Sequence, residues 1–174
     1  DMPLRTDLLK RESEGRPIRI GASGAGWMGS GFVVQVSRTK GLRVVLLADQ
    51  DPARARAVLE STGVAPADIL EADTPAKAEA ALRRGKRVVT ADHRLAARLD
   101  GVDIVTDVTP SPALGAETAL SCIEHGKPVV GRPSEHNRYR TKLFTLCVDT
   151  AKEIVFARLR IGIPMAGRRL GRKA

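Results

Sequence analysis

The sequence predicts an α/β fold with a doubly wound parallel sheet, followed by a C-terminal helix and a basic tail. Short apolar runs alternate with amphipathic segments about five times, which is the pattern of parallel strands joined by right-handed crossovers. The first run, 18–22, leads into a glycine-rich turn and an apolar helix. The second run, 43–48, ends at Asp49. Strand, glycine turn, helix, strand and acidic residue in this order are typical of a Rossmann-type sheet.

The predicted elements follow one another from residue 2 to residue 130. Strands are expected at 18–22, 43–48, 86–90, 102–108 and 128–130. Helices are expected at 2–15, from the glycine turn to residue 40, and at 52–61, 75–84, 92–99 and 113–125. The stretch 63–73 shows no regular pattern. Two helices have clear N-cap signals, since Asp51 and Thr74 each precede a proline.

Two helices are expected to be amphipathic. The lead-in helix carries its leucines on one side, at Leu4, Leu8 and Leu9. The helix after the glycine turn carries an apolar stripe of Met28, Phe32, Val33 and Val36. We therefore expect both helices to pack on a core through these side chains, including that of Met28.

The composition favours one globular domain with a modest extension. Aromatic residues make up 3% of the chain, so the core must consist mainly of Ala, Val, Leu and Ile. No apolar run approaches the roughly 18 residues of a membrane span, and the charged first 14 residues do not resemble a signal peptide. Cys122 and Cys147 lack metal or redox spacing. We expect a cytoplasmic protein with no metal and no membrane partner; a homo-oligomer is left open.

The net charge of +9 belongs to the end of the chain. Residues 131–174 contain 11 of the 29 basic and 3 of the 20 acidic residues, which leaves 18 basic and 17 acidic residues in 1–130. A nearly neutral body without interleaved aromatic residues is not typical of a nucleic-acid-binding surface. We therefore expect no nucleic-acid partner for the body of the protein.

Gly24, Gly26 and Gly29 have the spacing Gly-x-Gly-x-x-Gly of dinucleotide-binding turns. The first glycine permits the tight turn, the second lets the backbone approach the pyrophosphate, and the third lets helix and strand pack closely. The helix N-terminus offers unpaired N–H groups to the phosphates. The other positions of the predicted cofactor-binding turn are Ala25, Trp27 and Met28.

Asp49 lies 20 residues beyond Gly29, at the tip of the second strand. A carboxylate there can accept hydrogen bonds from the ribose hydroxyls of adenosine, and it would repel the additional phosphate of NADP. This residue favours NAD. Arg54 and Arg56 are close enough in sequence to offset the preference, so NAD and NADP both remain candidates.

Thr109 and Pro110 follow the fourth predicted strand. They would lie over the crevice at which the strand order reverses, where open α/β sheets bind ligands. We predict a contact with the nicotinamide half of the cofactor. The alternative is a turn that only ends the strand.

No residues form a recognisable catalytic constellation. His125 stands at a helix end, where it would complement the helix dipole, and His93 and His136 have no partners at ligand spacing. Cys122 and Cys147 are expected to be packed side chains. The sequence therefore predicts a cofactor site, without an assigned catalytic residue.

Several segments resemble the amino-terminal part of homoserine-dehydrogenase-like oxidoreductases. They are 15–21, the Gly-Ala-Gly-x-Met-Gly turn, 102–110 and 124–130. The most similar subgroup has longer members that carry a SAF domain and includes enzymes similar to deoxyxylulose phosphate reductoisomerase; glucose-fructose-oxidoreductase-type enzymes share many of these features. The resemblance covers residues 4–130. It implies NAD(P)-dependent oxidation or reduction of a small hydroxy or keto substrate.

These observations divide the chain into a lead-in helix (1–16), an NAD(P)-binding domain (17–130) and a basic tail (131–174) with a helix at 141–160 and a disordered end. The family continues with an Asn-Val-Glu-like motif and a substrate domain, and neither follows Gly131. The chain is interpreted as a fragment, a truncated product or the result of a changed reading frame. The competing hypothesis is a non-catalytic nucleotide-sensing or regulatory module whose tail binds a partner.

Overall fold

The strands are short and rich in β-branched residues, and they assemble into one parallel sheet. The structure, a computed structural model, describes residues 3–131. The strands are β1 Ile18–Ser23, β2 Leu42–Ala48, β3 Ile69–Glu71, β4 Arg87–Thr90, β5 Ile104–Asp107 and β6 Val129–Gly131. The helices are α1 Pro3–Ser13, α2 Trp27–Ser37, α3 Pro52–Ser61, α4 Pro75–Arg83 and α5 Pro112–Glu124. Two 3-10 turns lie at Pro66–Asp68 and Leu95–Arg98.

The strand order is β3-β4-β2-β1-β5-β6, and every strand pair is parallel. The chain builds one half of the sheet from β1 to β4 and then crosses back to add β5 and β6 on the other side of β1. The order thus reverses between β1 and β5, where Ser23 stands opposite Asp107. This topology confirms the predicted doubly wound α/β sheet of the Rossmann type.

Each face of the sheet has its own apolar cluster. Helices α2 and α3 cover one face, and their buried side chains meet those of β1 and β2. Helices α4 and α5 and the turn Leu95–Arg98 cover the other face. Residues 44–48 of β2 are all buried, as expected for a central strand with helices on both sides.

The structure corrects two predictions about secondary structure. Residues 69–71, within the stretch predicted to be irregular, form the edge strand β3. Its apolar run consists of Ile69 and Leu70 alone, which is too short to predict a strand, and only Ile69 is buried. The predicted helix at 92–99 is instead a four-residue 3-10 helix, Leu95–Arg98, whose first three residues are buried.

The lead-in helix α1 is amphipathic to a smaller degree than predicted. Leu4 and Leu9 are 64% and 44% exposed. The helix is held mainly at its second half, where Gly41 lies so close to the Leu8 backbone that a β-carbon would overlap the Leu8 carbonyl oxygen. Glu12 Oε2 also accepts a hydrogen bond of 2.9 Å from the Gly41 N–H.

The predicted helix at 141–160, His136 and Cys147 lie outside the described residues. Within residues 3–131, no helix has both the length and the apolar character that a membrane crossing requires.

Candidate functional site

The turn after β1 depends on a glycine in the left-handed region. Gly24 has a φ of +101°, and its N–H donates to the Ala48 carbonyl oxygen at 2.7 Å. A β-carbon on Gly24 would lie 3.1 Å from the Thr109 nitrogen and 3.2 Å from the Thr109 Cα. The turn therefore packs directly against the segment that follows β5, at the position where the strand order reverses.

The other two glycines of the motif have different surroundings. A β-carbon on Gly29 would overlap the Gly24 carbonyl oxygen, so α2 can reach its position only with glycine there. A β-carbon on Gly26 would meet no atom within 4 Å. The packing of the protein thus requires Gly24 and Gly29, whereas the space above Gly26 is free for a ligand.

The N-terminus of α2 has no side-chain cap. Helices α3, α4 and α5 are capped by Asp51, Thr74 and Ser111, whose side-chain oxygens accept hydrogen bonds from backbone N–H groups. These contacts confirm the predicted caps Asp51 and Thr74. In α2 the N-cap residue is Gly26, which has no side chain to accept such hydrogen bonds. The first N–H groups of α2 therefore face the space above Gly26, which is the arrangement of an anion-binding site.

Asp49 is held against the glycine turn. Its Oδ2 accepts a hydrogen bond of 2.7 Å from the Ala25 N–H, and its Oδ1 accepts one of 2.9 Å from the Asp51 N–H. The side chain is 8% exposed. A carboxylate has about four acceptor positions, so these two bonds leave it able to accept more. Asp49 thus orders the turn and the start of α3, a role that the sequence did not predict.

The two arginines that follow Asp49 point to different places. Arg54 Nη1 lies 4.0 Å from Asp49 Oδ1, and its side chain is 52% exposed. Arg56 Nη1 instead donates to the Ile69 carbonyl oxygen at 3.1 Å, which ties α3 to β3. Only Arg54 of this pair is therefore placed beside the carboxylate.

Trp27 and Met28 are exposed at the first turn of α2. Trp27 is 87% exposed and Met28 is 49% exposed. The prediction that Met28 contacts the core is wrong, because the buried side of α2 consists of Gly29, Val33 and Val36. Both side chains lie beside the uncapped helix N-terminus.

Thr109 lies where the sequence predicted it, at the strand-order reversal. Its N–H and its Oγ1 both donate to Asp107 Oδ1, at 3.2 and 2.8 Å. Pro110 is exposed at the same edge of the sheet. Asp107 is only 4% exposed. Burial raises the pKa of Asp107, against the opposing effect of the Thr109 hydrogen bonds and of nearby His93.

Sequence reasoning missed the neighbours of His93. Its Nε2 lies 3.2 Å from Glu117 Oε2 on α5, and its side chain is 18% exposed. His93 is thus paired with Glu117 and is near enough to Asp107 to act on the pKa of that carboxyl. The strand-end position of Asp107 is a signal that could have been used, whereas nothing in the sequence links His93 to a residue 24 positions away.

Cys122 and His125, the remaining candidate residues within the described part of the chain, have roles in packing and in ending a helix. Cys122 is fully buried, as predicted, and burial raises the pKa of its thiol to about 12. His125 is the C-cap residue of α5, and its Nδ1 lies 2.8 Å from the Ser121 carbonyl oxygen. Among residues 3–131, no three His, Cys, Asp or Glu side chains are grouped closely enough to hold a metal ion.

Comparison with protein-family models and with curated protein sequences finds no match. Solved dehydrogenase structures do match the fold. The scyllo-inositol dehydrogenase of Lactobacillus casei with bound NAD(H) and scyllo-inositol has a TM-score of 0.57 at 16% identity, over 79% of this chain and 34% of its own. The myo-inositol dehydrogenase of the same organism, in complex with NAD(H) and myo-inositol, has a TM-score of 0.57 at 18% identity, over 77% of this chain and 34% of its own.

A third similar structure is the WlbA dehydrogenase from Bordetella pertussis in complex with NADH and UDP-GlcNAcA. Its TM-score is 0.55 at 18% identity, over 78% of this chain and 36% of its own. The chain therefore spans about a third of the length of these proteins. At such identities the likeness shows the fold, which is that of a Rossmann-type domain.

Proposed function

We propose that this chain is the NAD(P)-binding domain of an oxidoreductase that acts on a small hydroxy or keto substrate. The observation that supports this proposal is the uncapped N-terminus of α2 facing free space above Gly26. In helices α3, α4 and α5 a side chain accepts hydrogen bonds from the first backbone N–H groups. In α2 no side chain does so, and these N–H groups are available to an external acceptor. A pyrophosphate is such an acceptor, and it carries the charge that the helix dipole favours.

The residues around this turn fit the other parts of a dinucleotide. Asp49 has acceptor capacity next to the turn, at the place where the adenosine ribose would lie. Thr109 and Pro110 border the crevice on the β5 side, where the nicotinamide half would lie. When bound, the cofactor would supply or accept a hydride. The part of the chain that the structure describes would bind and orient it, and we assign no catalytic residue there.

Resemblance and structural likeness point to different relatives within this proposal. The sequence motifs resemble homoserine-dehydrogenase-like enzymes, while the matched structures include inositol dehydrogenases with bound NAD(H). The two groups share the chemistry of oxidising a hydroxyl group or reducing a keto group. Because the chain spans about a third of the matched proteins, we propose that the substrate is bound by a part of the protein outside residues 3–131.

Trp27 offers a direct test of cofactor binding. It is the single tryptophan of the chain, and it is exposed at the first turn of α2. We expect NADH or NADPH to quench its fluorescence and to accept its excitation energy, with saturation. Isothermal titration calorimetry with NAD and NADP provides a measurement that does not depend on the tryptophan. No heat of binding with either cofactor at millimolar concentration would contradict the proposal.

Asp49 and Arg54 should set the preference between the two cofactors. Asp49→Ala is expected to weaken NAD binding about tenfold, or ~1.4 kcal/mol, and to weaken NADP binding less. Arg54→Gln should weaken NADP binding and leave NAD binding nearly unchanged. Retained binding of the other cofactor shows that each variant is folded. Asp73→Ala, which removes an exposed carboxylate at the start of α4, is the matched control. An equal loss for both cofactors in Asp49→Ala would indicate that Asp49 acts by ordering the turn and not on the ribose, and would contradict the ribose role.

A further inference from the structure

A cavity lies at the end of the sheet where the strands begin, whereas the glycine turn lies at the end where they stop. It has a volume of about 390 Å³ and lies between the C-terminal ends of α2 and α3, above the first residues of β2 and β4. This volume is within the range of small-molecule sites, about 300–1,000 Å³. The seven residues of β2 span roughly 20 Å, so this cavity is separate from the candidate dinucleotide site.

The cavity combines an apolar floor with a basic rim. The floor is formed by three buried side chains, those of Val33, Val44 and Leu59. The rim carries four cations and one carboxylate, namely Arg38, Lys40, Arg43, Arg87 and Glu12. Its formal charge is therefore strongly positive, although residues 1–130 as a whole are nearly neutral.

The single carboxylate does little to neutralise the rim. Glu12 uses Oε2 to accept the Gly41 N–H, and its Oε1 lies 3.9 Å from Arg43 Nη2. Within residues 3–131, no carboxylate lies within ion-pair distance of Arg38, Lys40 or Arg87. Three of the four cations at the cavity, Arg38, Lys40 and Arg87, thus lack an anionic partner in the described part of the chain.

Arg87 shows the cost of this arrangement. Burial lowers the pKa of its guanidinium, and the positive charge of Arg43 lowers it further, while the charge of Asp68 acts in the opposite direction. Asp68 is itself paired with Lys86, with Oδ1 and Nζ 2.6 Å apart. Arg87 is therefore partly buried and lies in the field of the exposed Arg43 guanidinium on the lining of the same cavity, where a bound anion would be stabilising.

Structural explanations account for only part of the rim. Arg38 and Lys40 follow α2, where cations complement the negative end of the helix dipole. Arg43 and Arg87 are strand residues, so this explanation does not apply to them.

We propose that this cavity binds a small organic molecule that carries a doubly charged oxyanion group, of which a phosphate monoester is the simplest. The guanidinium groups of Arg43 and Arg87 can each donate two hydrogen bonds to such a group. The apolar floor would receive the carbon part of the ligand. This proposal does not depend on cofactor binding at the glycine turn.

Phenyl phosphate is a suitable probe, because it combines a dianionic group with an apolar ring. Calorimetric titration of the full chain in about 150 mM salt, which screens exposed charges, should show binding tighter than that of inorganic phosphate or benzoate. Arg43→Gln and Arg87→Gln should each weaken phenyl phosphate at least tenfold. Arg83→Gln, which removes one exposed charge from α4, should leave binding unchanged. Unchanged binding in both cavity variants would place the ligand elsewhere and overturn the proposal.

Thermal unfolding distinguishes a binding role of Arg87 from a structural one. If Arg87 belongs to an anion site, Arg87→Gln removes an uncompensated charge. Its melting temperature without ligand should then be equal to or higher than that of the wild type, and the increase produced by phenyl phosphate should be lost. A lower melting temperature together with an undiminished ligand-induced increase would overturn the proposal. Arg43→Gln repeats the measurement if Arg87→Gln does not fold.

Discussion

At the scale of single residues, the glycine motif combines positions with different physical reasons for glycine. Gly24 needs both a positive φ and a close approach to Thr109. Gly29 is needed because the Gly24 carbonyl oxygen occupies the space of a β-carbon. Gly26 has neither requirement within the described residues, and no atom lies within 4 Å of the position that its β-carbon would take.

Gly29→Ala should therefore destabilise the protein, whereas Gly31→Ala on the same helix should not. Forcing a methyl group against backbone typically costs about 1–3 kcal/mol, and the same change should displace the turn and weaken cofactor binding. A β-carbon on Gly31 meets no atom within 4 Å, so alanine there should stabilise α2 by up to about 1 kcal/mol. Urea denaturation of both variants measures the difference. Equal effects of the two substitutions would contradict this account.

Two aspartates of the β5 region should give opposite pH dependences. Burial raises the pKa of Asp107, so the folded state holds its proton to higher pH than the unfolded state. Its contribution to stability is therefore largest at low pH and declines as pH rises through the raised value. Burial would also raise the pKa of Asp103, but hydrogen bonds and the charge of Arg19 outweigh burial and lower it. Its contribution is present above the ordinary pKa and is lost as pH falls.

We expect Asp107→Asn to increase stability relative to the wild type more at pH 7 than near pH 4. Asp103→Asn should decrease stability at pH 7 by less than about 1 kcal/mol, because its ion pair with Arg19 is half exposed, and the loss should shrink near pH 4. Denaturation at the two pH values tests both changes, and each variant is the control for the other. A stability gain of Asp107→Asn that grows towards low pH would be inconsistent with the raised pKa.

At the scale of elements, the helices that follow β2 and β3 have strong start signals. Asp51 Oδ1 accepts the N–H groups of Ala53 and Arg54, at 3.1 and 3.3 Å, and Pro52 follows it. Thr74 and Pro75 repeat the arrangement in α4. Such signals are local, which is why the sequence predicted these two helix starts at the residues where the structure has them.

Asp51→Ala should cost about 0.5–2 kcal/mol, the usual effect of removing an N-cap. The neighbouring exposed residue offers a control, since Gln50→Ala should change stability by less than about 0.5 kcal/mol. The free energy of unfolding from urea titration, together with helical circular dichroism, would show the loss. Similar stabilities of the two variants would mean that the cap contributes little to α3.

At the scale of the whole molecule, charge is distributed unequally. Residues 1–130 carry a net charge of +1 and residues 131–174 carry +8. Any strongly salt-dependent binding to nucleic acid or to acidic partners should therefore depend on residues 131–174. The candidate dinucleotide site lies entirely within residues 1–130.

Salt-dependent binding through the basic tail and cofactor binding at the glycine turn should be separable. The test is to replace four basic residues near the end of the chain by glutamine, namely Arg168, Arg169, Arg172 and Lys173. Retention on a DNA column should fall and become less dependent on salt, while the affinity for NAD(P) should be unchanged. Replacing Arg83 and Arg84 of the body by glutamine is the matched control and should have little effect on retention. A regulatory module with a partner-binding tail would instead show coupling, with the cofactor affinity changing when the tail charges are removed.

The main errors of the sequence-based prediction have a common physical cause. Strand β3 has one buried residue and is stabilised by pairing with β4, so its local sequence contains little signal. Met28 fits the helical stripe in sequence, but the side of α2 that is buried carries Gly29, Val33 and Val36, and Met28 is 49% exposed. In both cases the outcome depends on what the neighbouring element provides, and not on the segment itself.

The sequence by itself determined the doubly wound α/β class, the glycine turn, the position of Asp49 and the caps of α3 and α4. These features depend on residues close in the chain, where periodicity and turn chemistry are sufficient. The tertiary structure decided that Asp49 binds the Ala25 N–H and that Thr109 packs on Gly24. It also placed Arg43 and Arg87 on the lining of one cavity. Such pairs meet because the strand order brings distant crossovers together, and local sequence patterns do not encode that order.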